Sequence, residues 1–234
     1  MIMRRALART LTIAAGTASL CLGAVAFAQT PTAGAIARGL TRMVHGGCPF
    51  GYDQAMSPAQ RERARAQFAT IHRGEQRAPT RPALGFTLDQ TTRAQVQASM
   101  SAQGVQCSRG HGMSDLTCLN VPSSALPGSA SGAPARTLWF TFGTKEQLLS
   151  VVAVSRDANA QTISNAFAST QSLLNNQAGA AATTAGSAAA HALTQGILRQ
   201  ASAEYRFKNY YAVERAANMG NAYVLTEEYR SLPD

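Results

Sequence analysis

Arg136-Thr137-Leu138-Trp139-Phe140-Thr141-Phe142, then Gly143-Thr144-Lys145-Glu146, then Gln147-Leu148-Leu149-Ser150-Val151-Val152-Ala153-Val154-Ser155 is the stretch on which the reading of the fold turns. Two runs rich in aromatic and β-branched residues flank a short polar turn, which is the pattern of two antiparallel strands joined by a tight connection. Trp139, Phe140, Phe142, Val151, Val152 and Val154 are expected to build much of a sheet core. Downstream, 157–177 reads as a helix capped by Asp157, with Ile163, Phe167, Thr170 and Leu174 on one face. Upstream, Thr91 or Thr92 caps a helix through Gln103 that turns Val96 and Met100 inward and stops at Gly104.

Strand character returns near the end of the chain. Residues 197–207, 210–216 and 223–229 form three runs, the last two turned by Met219-Gly220-Asn221. Glu204, Arg206, Glu214, Arg215 and Glu228 alternate with aromatics there, so one face is read as wet. The Ala, Thr and Gly segment 178–190 has little to bury and reads as a flexible insertion or a frayed helix end. Helix, strands, helix, strands imply an α+β fold with helices packed on an antiparallel sheet, arranged as two α-β-β-type halves.

The first 28 residues have a different character. Arg4, Arg5 and Arg9 precede an apolar run from Leu11 to Phe27, and Ala26-Phe27-Ala28 makes an A-x-A cleavage site before Gln29. Residues 1–28 are therefore expected to be a secretory signal peptide, and the bulky Leu20 before Cys21 argues against a lipid-modified cysteine. Removing the leader leaves roughly 200 residues, enough for one domain with a real core. After it, no stretch is long and apolar enough to span a bilayer. The expected location is the periplasm or the medium.

Residues 29–83 read as an N-terminal extension. Ser57-Pro58 starts a helix that Gly74 ends, with Ala64, Phe68 and Ile71 on its apolar stripe and Arg61, Glu62, Arg63 and Arg65 on the charged side. Pro79 and Pro82 mark the linker that follows it. Between Gln29 and Arg81 eight arginines face three acidic residues, while from Pro82 onward ten basic residues face nine acidic ones. A basic arm on a nearly neutral body suits an acidic partner or membrane surface, although a solvated helix face is the simpler and favoured explanation. Export and the lack of aromatic-basic motifs exclude nucleic acid.

Residues 84–234 form the expected α+β domain. Three cysteines remain after cleavage: Cys48, Cys107 and Cys118. The ten residues between Cys107 and Cys118 contain Gly110 and Gly112 and can fold back as a hairpin, which makes these two the natural disulfide in an oxidising compartment. Cys48 is left as a free thiol, an intermolecular link or the partner of one of the others.

Leu84-Gly85-Phe86-Thr87-Leu88-Asp89-Gln90-Thr91-Thr92, a helix ending at Gly104, and Cys107 and Cys118 on strands together resemble the opening of exported bacterial envelope domains of the SmpA/OmlA type. The β-lactamase-inhibitor proteins repeat a similar unit. The later Glu204-Tyr205-Arg206-Phe207 and Tyr223-Val224-Leu225 strands fit a second such unit. The resemblance covers about 84–232 and implies helices on an antiparallel sheet; it carries over no functional residue.

No nucleophile elbow, Walker loop, zincin helix or dinucleotide fingerprint is present. His45 and Cys48 stand three apart and offer two ligands suited to zinc, copper or haem, with His72 or His111 as further donors. His111, between Gly110 and Gly112 and near Asp115, is an accessible candidate general base. Tyr205, Phe207, Tyr210, Tyr211, Tyr223 and Tyr229 make either a ligand surface or cross-strand packing. The expectation is an exported, non-enzymatic envelope protein that binds a partner or assists an assembly and needs no cofactor, with a metal- or haem-binding protein or enzyme on His45, Cys48 and His111 as the alternative.

Overall fold

The computed structural model describes residues 56–110, 114–126 and 128–233. The expected signal peptide at 1–28, residues 29–55 of the expected N-terminal extension with His45 and Cys48, and His111 lie outside them. Eight strands form a single antiparallel sheet in the order β1-β2-β3-β4-β8-β7-β6-β5. β1 is Cys107–Arg109, β2 Leu116–Val121, β3 Ala135–Phe142 and β4 Leu148–Asp157. The second half contributes β5 (Thr183–Ala185), β6 (Gln200–Arg206), β7 (Tyr210–Asn218) and β8 (Tyr223–Ser231). Each half is a meander, and β4 pairs with β8 to join them. The halves are longer than the expected α-β-β unit, because each has four strands, the first set following the helix Arg93–Ala102 and the second following Ala160–Gln177 with the short helix Ala190–Leu193 after its first strand.

Three helices and a short fourth accompany the sheet: α1 (Pro58–His72), α2 (Arg93–Ala102), α3 (Ala160–Gln177) and α4 (Ala190–Leu193). Local chemistry sets their starts. Ser57 with Gln60, and Thr92 with Gln95, close reciprocal capping boxes at α1 and α2. Asp157 does not cap α3. It ends β4 and accepts from the Asn159 amide, while Asn159 accepts from the Gln161 amide and serves as the cap. Gly220, at φ +86°, supplies the left-handed backbone of the β7–β8 turn, where a side chain would be strained.

Alternation along the strands separates two faces. Leu138, Phe140, Phe142, Val151 and Ala153 point into the main core together with Tyr205, Tyr210 and Leu225. Ile163, Ala166, Phe167 and Leu174 of α3 belong to the same buried cluster, as do Val96 and Met100 of α2. Trp139, Val152 and Val154, expected in the core, fall on the opposite phase and lie partly exposed on the outer face. The expectation failed because continuous apolar runs hide the period of two that assigns each residue its side.

α1 lies against the outer face with a different stripe from the expected one. Ile71 is 70% exposed, whereas Arg61 and Ala69 are buried. Phe68 stacks on His72 and meets Tyr211 edge-on with ring centroids 4.9 Å apart. The inward positions are Arg61, Arg65, Phe68, Ala69 and His72, a helical spacing in which ion pairs and hydrogen bonds replace aliphatic contacts. The proline-containing segment that follows is tied down as well: Asn209 accepts from the Ala78 amide and Pro82 from the Tyr210 hydroxyl.

Segment 178–190 supplies the edge strand β5, whose residues 183–185 pair with 202–204 of β6. Its composition carries no strand pattern because the pairing is mainly through backbone amides and carbonyls, with all three side chains exposed and the Thr183 hydroxyl donating to Glu204.

Candidate functional site

The outer face of β2, β3, β4 and β8 gathers apolar side chains that strand alternation leaves outside the core. Trp139 on β3 sits directly opposite Val152 on β4, and Thr137 opposite Val154. Leu119 of β2 faces Thr137 and is 57% exposed, and Val224 of β8 lies across from Arg156. Trp139, Val152, Val154 and Val224 are each partly exposed. These side chains, interleaved with Thr137 and Thr226 and bordered by Arg156, Arg215 and Glu228, leave apolar surface partly open on this face, and apolar surface rimmed by polar residues suits an interaction site. Farther along the same face, α1 takes over, with Ala69, Tyr211, Val213 and Leu232 forming a small cluster against Phe68.

Electrostatics reinforce the seat of α1. Burial opposes ionisation of Glu204, but hydrogen bonds from His72, Arg206 and Tyr211 overcome it and hold this carboxyl at about 2. Its contribution to stability is thus complete above the ordinary carboxylate range and is lost as pH falls toward 2.

Two clefts border the helix. One, of about 470 Å³, is lined by Arg61, Arg93, Arg109 and Asp115 beside Cys107. The other, of about 450 Å³, is lined by Arg65, Arg77, Arg81 and Asp89. In both, the acidic residue clamps two guanidiniums. Asp115 holds Arg61 and Arg93 at 2.9 and 3.3 Å, and Asp89 holds Arg65 and Arg81 at 2.8 and 2.7 Å. These pairs organise the fold and leave neither carboxylate to act as a base.

Among the sequence candidates, Cys107 and Cys118 are joined by a disulfide between directly opposed residues of β1 and β2, with Cα atoms 4.1 Å apart. A cystine is compatible with an oxidising compartment. Closing a loop of sequence separation 11 stabilises the fold by about 3 kcal/mol in the chain-entropy model. A C107A/C118A variant is therefore expected to lose that much in urea unfolding, and thiol titration of the native protein should find neither cysteine reactive. Asp115, proposed beside His111, is buried under Arg61 and hydrogen-bonds the Phe142 amide.

The tyrosines divide between the two faces. Tyr205, Tyr210 and Tyr229 are core residues, and Tyr211 lies under α1, so packing rather than a ligand surface occupies them. Among the described residues no group of three His, Cys, Asp or Glu side chains could hold a metal ion, and no helix is long and apolar enough to cross a membrane.

Sequence reasoning missed two residues. Glu214 was read on the wet face, and Glu227 was not singled out. Both are buried on the core side. The phase was available in the sequence, since Glu214 alternates with Ala212 and Ala216, and Glu227 with Leu225 and Tyr229. No family model, curated protein or solved structure matches this chain.

Proposed function

We propose that this is an exported envelope protein without catalytic activity that works by binding another protein through the outer face of its sheet. The observation that carries the reading is the apolar patch of Leu119, Trp139, Val152, Val154 and Val224 on one face of a disulfide-stapled antiparallel sheet. Such a patch suits a partner that presents apolar side chains within a polar rim, the usual make-up of a protein interface. The leader-like first 28 residues and the cystine support an envelope location, in keeping with the resemblance to exported SmpA/OmlA-type domains, from which no specific role is carried over.

Trp139 is the chain's only tryptophan, so its fluorescence reports on the patch directly. A partner isolated from envelope extract on the mature, disulfide-intact protein should shift that emission to the blue and protect it from quenching by iodide. A V152S/V154S variant, which keeps the fluorophore, should bind at least tenfold more weakly. If the captured protein leaves the emission unchanged, or binds the variant equally well, the outer face is not the docking surface.

A further inference from the structure

β7 and β8 place Glu214 and Glu227 directly opposite one another on the core face. Their relative exposures are 0% and 2%. The same cross-strand row continues into Ala203 on β6 and Ala153 on β4, which offer neither charge nor a side-chain hydrogen bond. From above, Thr170 of α3 donates its hydroxyl to Glu227 Oε1 at 2.8 Å, and the Tyr229 hydroxyl donates to the same oxygen at 3.0 Å. Neither Glu214 oxygen has a hydrogen-bond partner.

Among the described residues no cation acts on either glutamate, and the nearest influence of one is Arg81 on Tyr210. α3 carries no charged residue along its whole length, and the other titratable groups that act on the site are Tyr205 of β6, Tyr210 of β7 and Tyr229 of β8. Two carboxylates side by side in a dry core without a counter-ion cannot both be ionised at tolerable cost. Burial first, then the neighbouring Glu227, pushes Glu214 up to about 9. Burial likewise raises Glu227, against the two hydroxyl bonds it accepts.

We propose that Glu214 and Glu227 form a proton-operated latch between α3 and the sheet: while the carboxyls keep their protons α3 lies closed over them, and loss of a proton releases the helix. Once ionised, Glu214 has no partner within the fold. Water must reach it, and α3 is the element that stands between it and solvent on this face. The buried side of α3 carries Ile163, Phe167 and Leu174 around Thr170, so lifting the helix exposes apolar surface, and relief of the cost of an ionised, buried Glu214 is what must offset that exposure.

The sign of the effect follows from linkage. Unfolded, Glu214 titrates near its ordinary 4.5; folded, it holds its proton up to about 9. The stability it secures is complete below the unfolded value and is lost as pH rises toward the folded one. In that window one such group lowers the folding constant about tenfold per pH unit. Glu204 acts only at the acid end, so the two effects separate.

Urea unfolding of the mature protein at pH 6 and pH 8, with hydrogen exchange of backbone amides at both, tests this. The folding constant should fall at least tenfold from pH 6 to pH 8, and α3 should lose protection before β3 and β4 do. E214Q, which keeps the shape and cannot ionise, should remove most of the slope and restore α3 protection at pH 8; E227Q is measured beside it in case one amide fails to fold. A wild-type fall of less than tenfold, a slope unchanged in the folded variant, or α3 opening in step with the central strands would each overturn the latch. The wild-type exchange pattern decides the question even if neither variant folds.

Discussion

Arg61→Ala is expected to destabilise the protein by about 3–5 kcal/mol, the cost typical of removing one member of a buried ion pair. Arg61 is the deepest charge in α1, with a side chain 4% exposed and a carboxylate partner, Asp115, that is 8% exposed. Its three nitrogens are all engaged: Nη2 with Asp115, Nε with the Phe142 carbonyl at 3.0 Å, and Nη1 with the Met56 carbonyl. Alanine would leave Asp115 with Arg93 as its one guanidinium and take the Arg61 hydrogen bond away from the Phe142 carbonyl, at a largely buried spot on the cleft wall. The damage should extend beyond α1, because Asp115 also accepts from the Phe142 amide and so fastens the start of β2 to the end of β3.

Urea unfolding at pH 7 reads the loss as a lower midpoint with an unchanged slope. The double variant R61A/D115N should recover part of it, since the uncompensated charge is then gone. A single-variant loss below about 1 kcal/mol would mean that the pair is solvated and that α1 is only loosely attached.

Arg61 also shows where sequence reasoning stops. The caps of α1 and α2 were legible because Ser57 with Gln60 and Thr92 with Gln95 act within one turn of chain, where no tertiary contact competes. The paired strands β3 and β4 were legible from bulky apolar runs on either side of a polar turn, and the Cys107–Cys118 hairpin from a short glycine-containing span. What α1 buries was not legible. An amphipathic helix is normally read by its aliphatic stripe, yet here Asp115, some fifty residues away, makes an arginine the inward group, and that contact exists only after β2 and β3 have paired.

The same limit applies to Glu214 and Glu227. Residue type places a glutamate in water by default, and only the register of β7 against β8, with α3 above, reveals two of them facing each other in the core. β5 was invisible for another reason. Thr183, Thr184 and Ala185 contribute backbone hydrogen bonds to an existing edge, helped by the Thr183 hydroxyl on Glu204, and a strand held by polar groups in that way needs no hydrophobic pattern. The outer-face patch was half visible: its residues were picked out as apolar and assigned to the wrong side.

That assignment can be tested on two neighbours in one strand. Phe140→Ala is expected to cost about 3–5 kcal/mol, whereas Trp139→Ala should cost roughly 1 kcal/mol despite deleting a larger ring. Phe140 is fully buried, packs edge-to-face on Phe86 at 5.4 Å, and lies between Leu116 and Val151 in the sheet register. Its removal opens a cavity that the surrounding strands, pinned by their ladders, can only partly close. Trp139 lies on the outer face with part of its ring already in water, so less apolar area returns to water and no closed void forms. Thermal or urea unfolding of the two variants, measured together, should separate them by several degrees or by a clear midpoint shift. The reverse order would put Trp139 in the core and remove the outer-face patch as a docking surface, because the strand's alternation allows only one of these neighbours to point inward.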